Sequence, residues 1–195
     1  MKFRRIEAVF MKQIKDTLKN KTALIQFVLF PLLAFILTET IAKSDKFLPD
    51  NYFVLLFSIM YVGMVPAINT ASIITEEKEK NTLRILMLAN VRPLEYLIGV
   101  GSYVFIVSSI GAVAFGFIGG YSGAQLGLFI IVLMVGILGS LILGSTIGIF
   151  AKNSMSSAGL VLPVSMITAF LPMIASFNET FESISRFLYT QQINY

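Results

Sequence analysis

Five stretches of this chain, residues 22–42, 52–74, 96–118, 126–150 and 157–176, are apolar, and Glu39 is the one charged side chain in all of them. Each is about twenty residues long, enough for a helix to cross a hydrocarbon core roughly 30 Å thick. Inside lipid no water can satisfy a backbone N–H or C=O, so a spanning segment closes its hydrogen bonds within itself as a helix or joins a closed barrel. A barrel needs segments of about ten residues with alternating polarity, and the sequence has none. The fold expected is therefore all-α: a polytopic membrane protein with about five transmembrane helices, forming one transmembrane domain over 1–195. Charged residues make up 13% of the chain, about half the share in an ordinary soluble domain.

Cysteine and histidine are both absent. Disulfides, thiolate chemistry, imidazole bases and most zinc sites are thereby excluded. The fifteen Lys and Arg residues sit beside the apolar runs. Twelve fall in 1–21, 75–95 and 151–156, and three (Lys43, Lys46 and Arg186) in the alternate connections. The positive-inside rule puts the N-terminus and the 75–95 segment in the cytoplasm. Charge clustered in this way reports topology and gives no reason to expect a nucleic-acid partner. The basic start is too long for a cleavable signal, its apolar run is too long as well, and no A-x-A-like site follows, so the first span should stay in the membrane.

Residues 1–21 read as an amphipathic helix lying in the membrane interface. Phe3, Ile6, Val9, Phe10, Ile14 and Leu18 recur at helical spacing, while Lys2, Arg4, Arg5, Lys12, Lys15 and Lys19 fill the other face. Its role is either that of a plain positive flank or that of a contact to a cytoplasmic partner, with Phe3, Arg4, Phe10 and Ile14 the residues to watch. The third and fourth spans carry small residues every four positions. These are Ser108, Ala112, Gly116 and Gly120, then Gly136, Ser140, Gly144 and Gly148. Such rows let backbones approach closely in lipid. Intramolecular packing of this hairpin is the leading reading, and a pore-lining or dimer role for Gly116 and Gly144 the alternative. Pro31, Pro66, Pro163 and Pro172 each remove a helical hydrogen bond. Glu39, near the outer end of the first span, either pairs with Lys43 four residues on or touches substrate.

Between the second and third spans the chain reads Glu76-Glu77-Lys78-Glu79-Lys80 and then "NTLRILMLANVRPLEYLIG". The second span is expected to continue as a helix bearing the glutamates. Asn81 ends it, since asparagine tolerates the left-handed conformation, and Thr82 caps a short following helix. Leu83, Leu86 and Met87 form one face of that helix, Arg84 points away, and Arg92-Pro93 makes a turn into the third span. Taken alone, the element is either a polar loop or a transverse helix able to transmit a push from a soluble partner.

The stretch "IITEEKEKNTLRILMLANVRPLEYLIG" resembles the signature of ABC transporter permeases of the type-2 exporter family, in which an acidic E-x-E-x-G-T-like segment leads into "LexLlxxPvsrxexlxGK". Glu77, Glu79, Thr82, Leu83, Leu86, Val91, Arg92, Leu94, Glu95, Leu97 and Gly99 carry the match; Asn81, Asn90 and Val100 depart from it. The resemblance implies a coupling helix that docks on a separate ATP-binding subunit, with Glu76, Glu77, Glu79, Thr82, Leu83, Leu86 and Arg92 as coupling residues. It further implies two such ATPase subunits holding ATP and Mg, no cofactor on this chain, and a second permease subunit, identical or a paralogue. The setting implied is a bacterial plasma membrane, and the activity is export of an amphipathic or apolar cargo such as a peptide, lipid or drug. Family members have six spans with outer re-entrant helices. Residues 177–190 suit one such helix, and no sixth apolar run follows it, as expected of a short form, a truncation or a chain lacking its last segment.

The chain has no G-x-x-x-x-G-K-[ST] loop to cradle nucleotide phosphates. ATP hydrolysis is thus expected only in a partner, and the chain is not expected to be an enzyme. Glutamate-dependent intramembrane proteases need an arginine soon after a Glu pair, and histidines elsewhere; neither is present. The rival expectation is a non-transporting accessory or immunity subunit that binds another membrane protein.

Overall fold

The computed structural model describes residues 3–19, 21–42, 49–175 and 190. Among the described residues 90% are helical and none is in a strand. Helix α1 (Phe3–Lys19) precedes α2 (Lys21–Leu37), which loosens into a π-helical turn at Thr38–Ala42. Then follow α3 (Tyr52–Glu79), the short α4 (Thr82–Leu88), α5 (Pro93–Ile118), α6 (Gly123–Phe150) and α7 (Ser154–Ala175). Among the described residues five helices are long and apolar enough to cross a membrane: Leu24–Ala42, α3, α5, α6 and Ser154–Ile174. The helix expected over 177–190 lies outside the described residues.

Helix α3 is the axis of the bundle, and α2, α5, α6 and α7 all pack against it. Its 28 residues extend about 42 Å, longer than the hydrocarbon core, so its last turns project beyond the apolar layer with their charges. The core around it holds Tyr61, Val62, Tyr103, Val104, Phe115, Leu133 and Ile137, all buried. Tyr61 meets Phe30 and Phe115 edge-on, with ring centroids at 6.2 and 5.4 Å, the arrangement favoured by aromatic quadrupoles.

The small-residue row of the fourth span packs on α3 of the same chain. A Cβ on Gly144 would lie 2.8 Å from the Ala67 Cα, and one on Gly148 would lie 3.1 Å from the Ala71 Cα. Gly116 does face its hairpin partner, where a Cβ would meet the Leu126 Cδ1 at 2.5 Å. The reason is geometric. Two backbones can come this close only along a shared row, and the small residues Ala67 and Ala71 on α3 supply the matching half.

The same contact resolves a proline. Pro66 lies inside α3 and lacks the N–H that would bond the Val62 carbonyl four residues back. The Ser140 hydroxyl of α6 donates to that carbonyl. In α7, Pro172 likewise frees the Thr168 carbonyl, and the Thr190 hydroxyl donates to it at 2.6 Å. Where water is absent, a freed carbonyl is held by a neighbouring hydroxyl.

Candidate functional site at the charged end of the bundle

Successive residues of a helix point roughly 100° apart, so Glu77, Lys78 and Glu79 fan from the end of α3 toward three different neighbours. Glu77 is buried and its Oε1 accepts from the Lys12 ammonium and from Gln13 Nε2, the latter at 2.6 Å, both on α1. The Lys78 ammonium donates to the carbonyls of Ile149 at 2.7 Å and Ala151 at 2.6 Å, at the C-terminus of α6. Those are carbonyls for which the helix has no N–H, and they carry the negative end of its dipole. Glu79 accepts from the Ser154 N–H at 2.8 Å, at the start of α7, where the orphan groups are donors. Glu76 makes a local pair with Lys80 at 3.1 Å.

Asn81 takes the left-handed conformation (φ 55°), as its short polar side chain permits, and the chain turns into α4. The expected Thr82 cap is not formed: Asn81 occupies the cap position, no side chain caps the helix, and Thr82 is its first residue. Helix α4 is apolar nearly all round. Leu83, Leu86 and Met87 pack inward on a cluster of Val9, Ile74, Val91, Tyr96 and Val100, drawn from α1, α3, α5 and the α4–α5 connection. Arg84 points outward as expected, and with it Ile85 and Leu88, which are 63% and 77% exposed.

The exit from α4 is also anchored to α1. Arg92 is extended and exposed, and its N–H donates to the buried Glu95 side chain at 3.1 Å, inside the first turn of α5. The Arg5 guanidinium of α1 lies 3.5 Å from the same carboxylate. At Gly99 the two helices cross so closely that a Cβ would sit 2.8 Å from the Val9 Cβ. Glycine therefore belongs at this place in the motif for a packing reason.

Along α1 the inward stripe is Val9, Gln13 and Thr17, with Phe10 and Ile14 beside it. Phe10 meets Tyr103 edge-on at 6.3 Å. Phe3 and Arg4 are exposed at the start of the helix, and Leu18 is exposed near its end. Burial of the Lys12 ammonium alone lowers its pKa, but hydrogen bonds and charge from Glu77 and Asp16 outweigh that and hold it above the ordinary 10.5. Asp16 lies 3.1 Å from the same ammonium.

The structure thus brings Glu77, Glu79, Leu83, Leu86, Phe10 and Ile14 into one assembly with the chain's own helices. Glu39 stands apart, exposed on the π-helical turn at the far end of α2, and its expected partner Lys43 lies outside the described residues. Sequence reasoning missed Lys12, Gln13, Lys78 and Ser154 as the partners of the charged run. No local signal marks pairs separated by 64 to 75 residues. It also missed Ile85 and Leu88 as the outer face of α4, although their i, i+3 spacing shows it.

A family model described as ABC-2 type transporter matches residues 4–190. No curated protein and no solved structure matches the chain.

Proposed function

The chain belongs to the ABC-2 type transporter family, as the multi-pass membrane permease that works with an ABC ATP-binding subunit, and we propose that it couples ATP hydrolysis in that partner to export through the outer face of α4. It is the transport component of the assembly rather than its catalyst. The supporting observation is the split personality of α4. Leu83, Leu86 and Met87 bind it to the ends of α1, α3 and α5, while Arg84, Ile85 and Leu88 present an apolar patch with one cation to the outside. A surface Ile and Leu more than half exposed beside a fixed charge suit a protein partner.

In this reading the charged end is cytoplasmic, as its Lys and Arg content favours, in a bacterial plasma membrane. Two ATPase subunits hold Mg-ATP below two permease chains, identical or paralogous. The coupling residues divide their labour. Arg84, Ile85 and Leu88 dock, joined by Glu76, Arg92 and the exposed Phe3 and Arg4 of α1. Thr82, Leu83 and Leu86 pass the displacement inward. Glu77 and Glu79 carry it to α1 and α7 through the bonds described above. Closure of the ATPases would tilt α4 and α1 together, because Glu77, Glu95 and Gly99 tie them into one unit. The five spans would then rearrange around α3 to expel an amphipathic or apolar cargo.

The test is co-purification of the tagged chain from its native membrane in mild detergent, with the wild type beside Ile85→Asp and Leu88→Asp. The expected result is an ATP-binding subunit that accompanies the wild type and is lost, with its stimulated ATPase activity, from both variants while their membrane insertion and thermal stability hold. Undiminished recovery of the ATPase with both variants would sink the docking assignment.

A further inference from the structure

Between α1, α2, α3 and the start of α4 lies a cavity of about 950 Å³, at the upper end of the size of small-molecule sites. Its walls join two kinds of surface. Toward the charged end stand Lys12, Lys80 and Thr82, with carboxyl groups between them. Lys19 lines it as well, and the three cations are balanced in number by Asp16, Glu76 and Glu77, with Lys12 paired to Glu77 and Asp16 and Lys80 to Glu76. The lining therefore offers no concentrated positive field for a phosphate. Toward the membrane stand two neutral amides, Gln26 of α2 and Asn69 of α3.

Asn69 sits ten residues before Glu79, roughly 15 Å up the helix, so this pair lies within the apolar layer. Asn69 is buried, and its amide nitrogen donates both to Gln26 Oε1 at 3.0 Å and to the Val65 carbonyl at 2.9 Å. Those two bonds use both N–H groups of Asn69 and leave Asn69 Oδ1 an acceptor and Gln26 Nε2 a donor without partners among the described residues. The two side chains are bonded to each other, so the spare acceptor and the spare donor lie close together and match the edge of an extended peptide, on which the N–H and C=O of one residue point the same way.

We propose that this cavity is a peptide-binding site, in which Gln26 Nε2 donates to the C=O and Asn69 Oδ1 accepts from the N–H of one extended residue of the cargo, and the charge-balanced mouth accommodates its termini. This deepens the export reading and rests on it for the word cargo. Because Thr82 begins α4 and also lines the cavity, the docking helix forms part of the wall, and its displacement changes the space available to the peptide.

The experiment is saturation-transfer NMR on the full chain, purified from its native membrane into phosphatidylcholine nanodiscs. The probe is N-acetyl-trialanine amide, with phosphocholine as a zwitterion that lacks an amide. Saturable transfer to the peptide and none to phosphocholine is expected. Gln26→Leu and Asn69→Leu should each weaken peptide binding by about tenfold, the effect of losing one well-placed hydrogen bond in a dry site. Gln26 is half-buried on the outer helix α2, so its replacement leaves the bundle intact even where the Asn69 variant fails to fold. Equal transfer to both probes, no transfer to either, or peptide binding unchanged in the Gln26 variant overturns the proposal. Binding is read directly and not through ATP hydrolysis. A chain that recruits no ATPase yet binds the peptide would sink the export reading alone, and a chain that recruits the ATPase yet ignores the peptide would sink only the cavity.

Discussion

Glu79, the last residue of α3, holds Ser154, the first residue of α7, by accepting both its N–H at 2.8 Å and its hydroxyl at 2.5 Å. One carboxylate thereby serves the start of a helix 75 residues away. With Glu77 on α1 and Lys78 on the end of α6, three consecutive charges fasten three helices to the central one. The chain interrupts its apolar runs with charge because the helix ends need it.

Replacing Lys78 by Met should uncap α6 while keeping the side chain's length. The carbonyls of Ile149 and Ala151 lose a charged donor, at a cost of about 1–3 kcal/mol. A fall in melting temperature, measured by size-exclusion after heating, is expected with membrane insertion intact; an unchanged melting temperature would refute the capping role.

Gly144→Val should be among the most damaging small substitutions in the chain. Its side chain would start 2.8 Å from the Ala67 Cα, and rigid backbone cannot retreat, so overpacking costs about 1–3 kcal/mol or more. Gly101→Val is the control, because a Cβ there meets nothing within 4 Å. The pair is compared by yield of monodisperse protein. Equal yields would show that α3 and α6 do not pack through this row.

Leu86→Asp should behave differently from Leu88→Asp. Leu86 packs inward on the cluster at the helix ends, whereas Leu88 is exposed. Only the first should lower stability, by about 2–5 kcal/mol for loss of a packed aliphatic side chain; thermal unfolding of the two variants checks this. Similar melting curves would mean that α4 lies the other way round.

Loss of the Lys12 charge should loosen the attachment of α1 at alkaline pH. Lys12 is held above 10.5 in the fold, so its contribution is fully present below that value. It is lost as pH rises through the raised folded value, when the bond to Glu77 weakens. The protection of α1 amides, with exchange corrected for its intrinsic base catalysis, should then be flat from mildly acidic to mildly alkaline pH and fall only above 10.5. Lys12→Gln should remove that fall and start from a lower baseline. A wild-type transition near neutral pH would assign the attachment to another group.

Because the chain has no cysteine, topology can be read by single introduced thiols. A cysteine at exposed Ser122, in the α5–α6 turn, should react with an impermeant reagent outside the cell. One at exposed Asn153, beside Glu79 and Ser154, should not. The reverse pattern would invert the orientation proposed for the charged end.

The sequence by itself determined the class of fold, the number of apolar crossings and the break at Asn81. Each of these depends on local properties: run length against bilayer thickness, and the left-handed tolerance of asparagine. The turn expected at Arg92-Pro93 falls instead at Ala89-Asn90, where Asn90 takes a positive φ of 62°, and Arg92 is the extended cap before Pro93, the first residue of α5. What only the tertiary structure decided is where each polar side chain is used. Glu77, Lys78 and Glu79 look equivalent in the sequence, yet each meets a different helix, because a helix turns about 100° per residue and the neighbours come from distant parts of the chain. The row at Gly144 was legible as a packing surface but not in its partner, since a small-residue row fits any matching row and only the assembled bundle selects α3. The same holds for α4. Its seven residues are apolar on two sides, and burial of Leu83 and Leu86 against α1 leaves Ile85 and Leu88 as the face that remains outside.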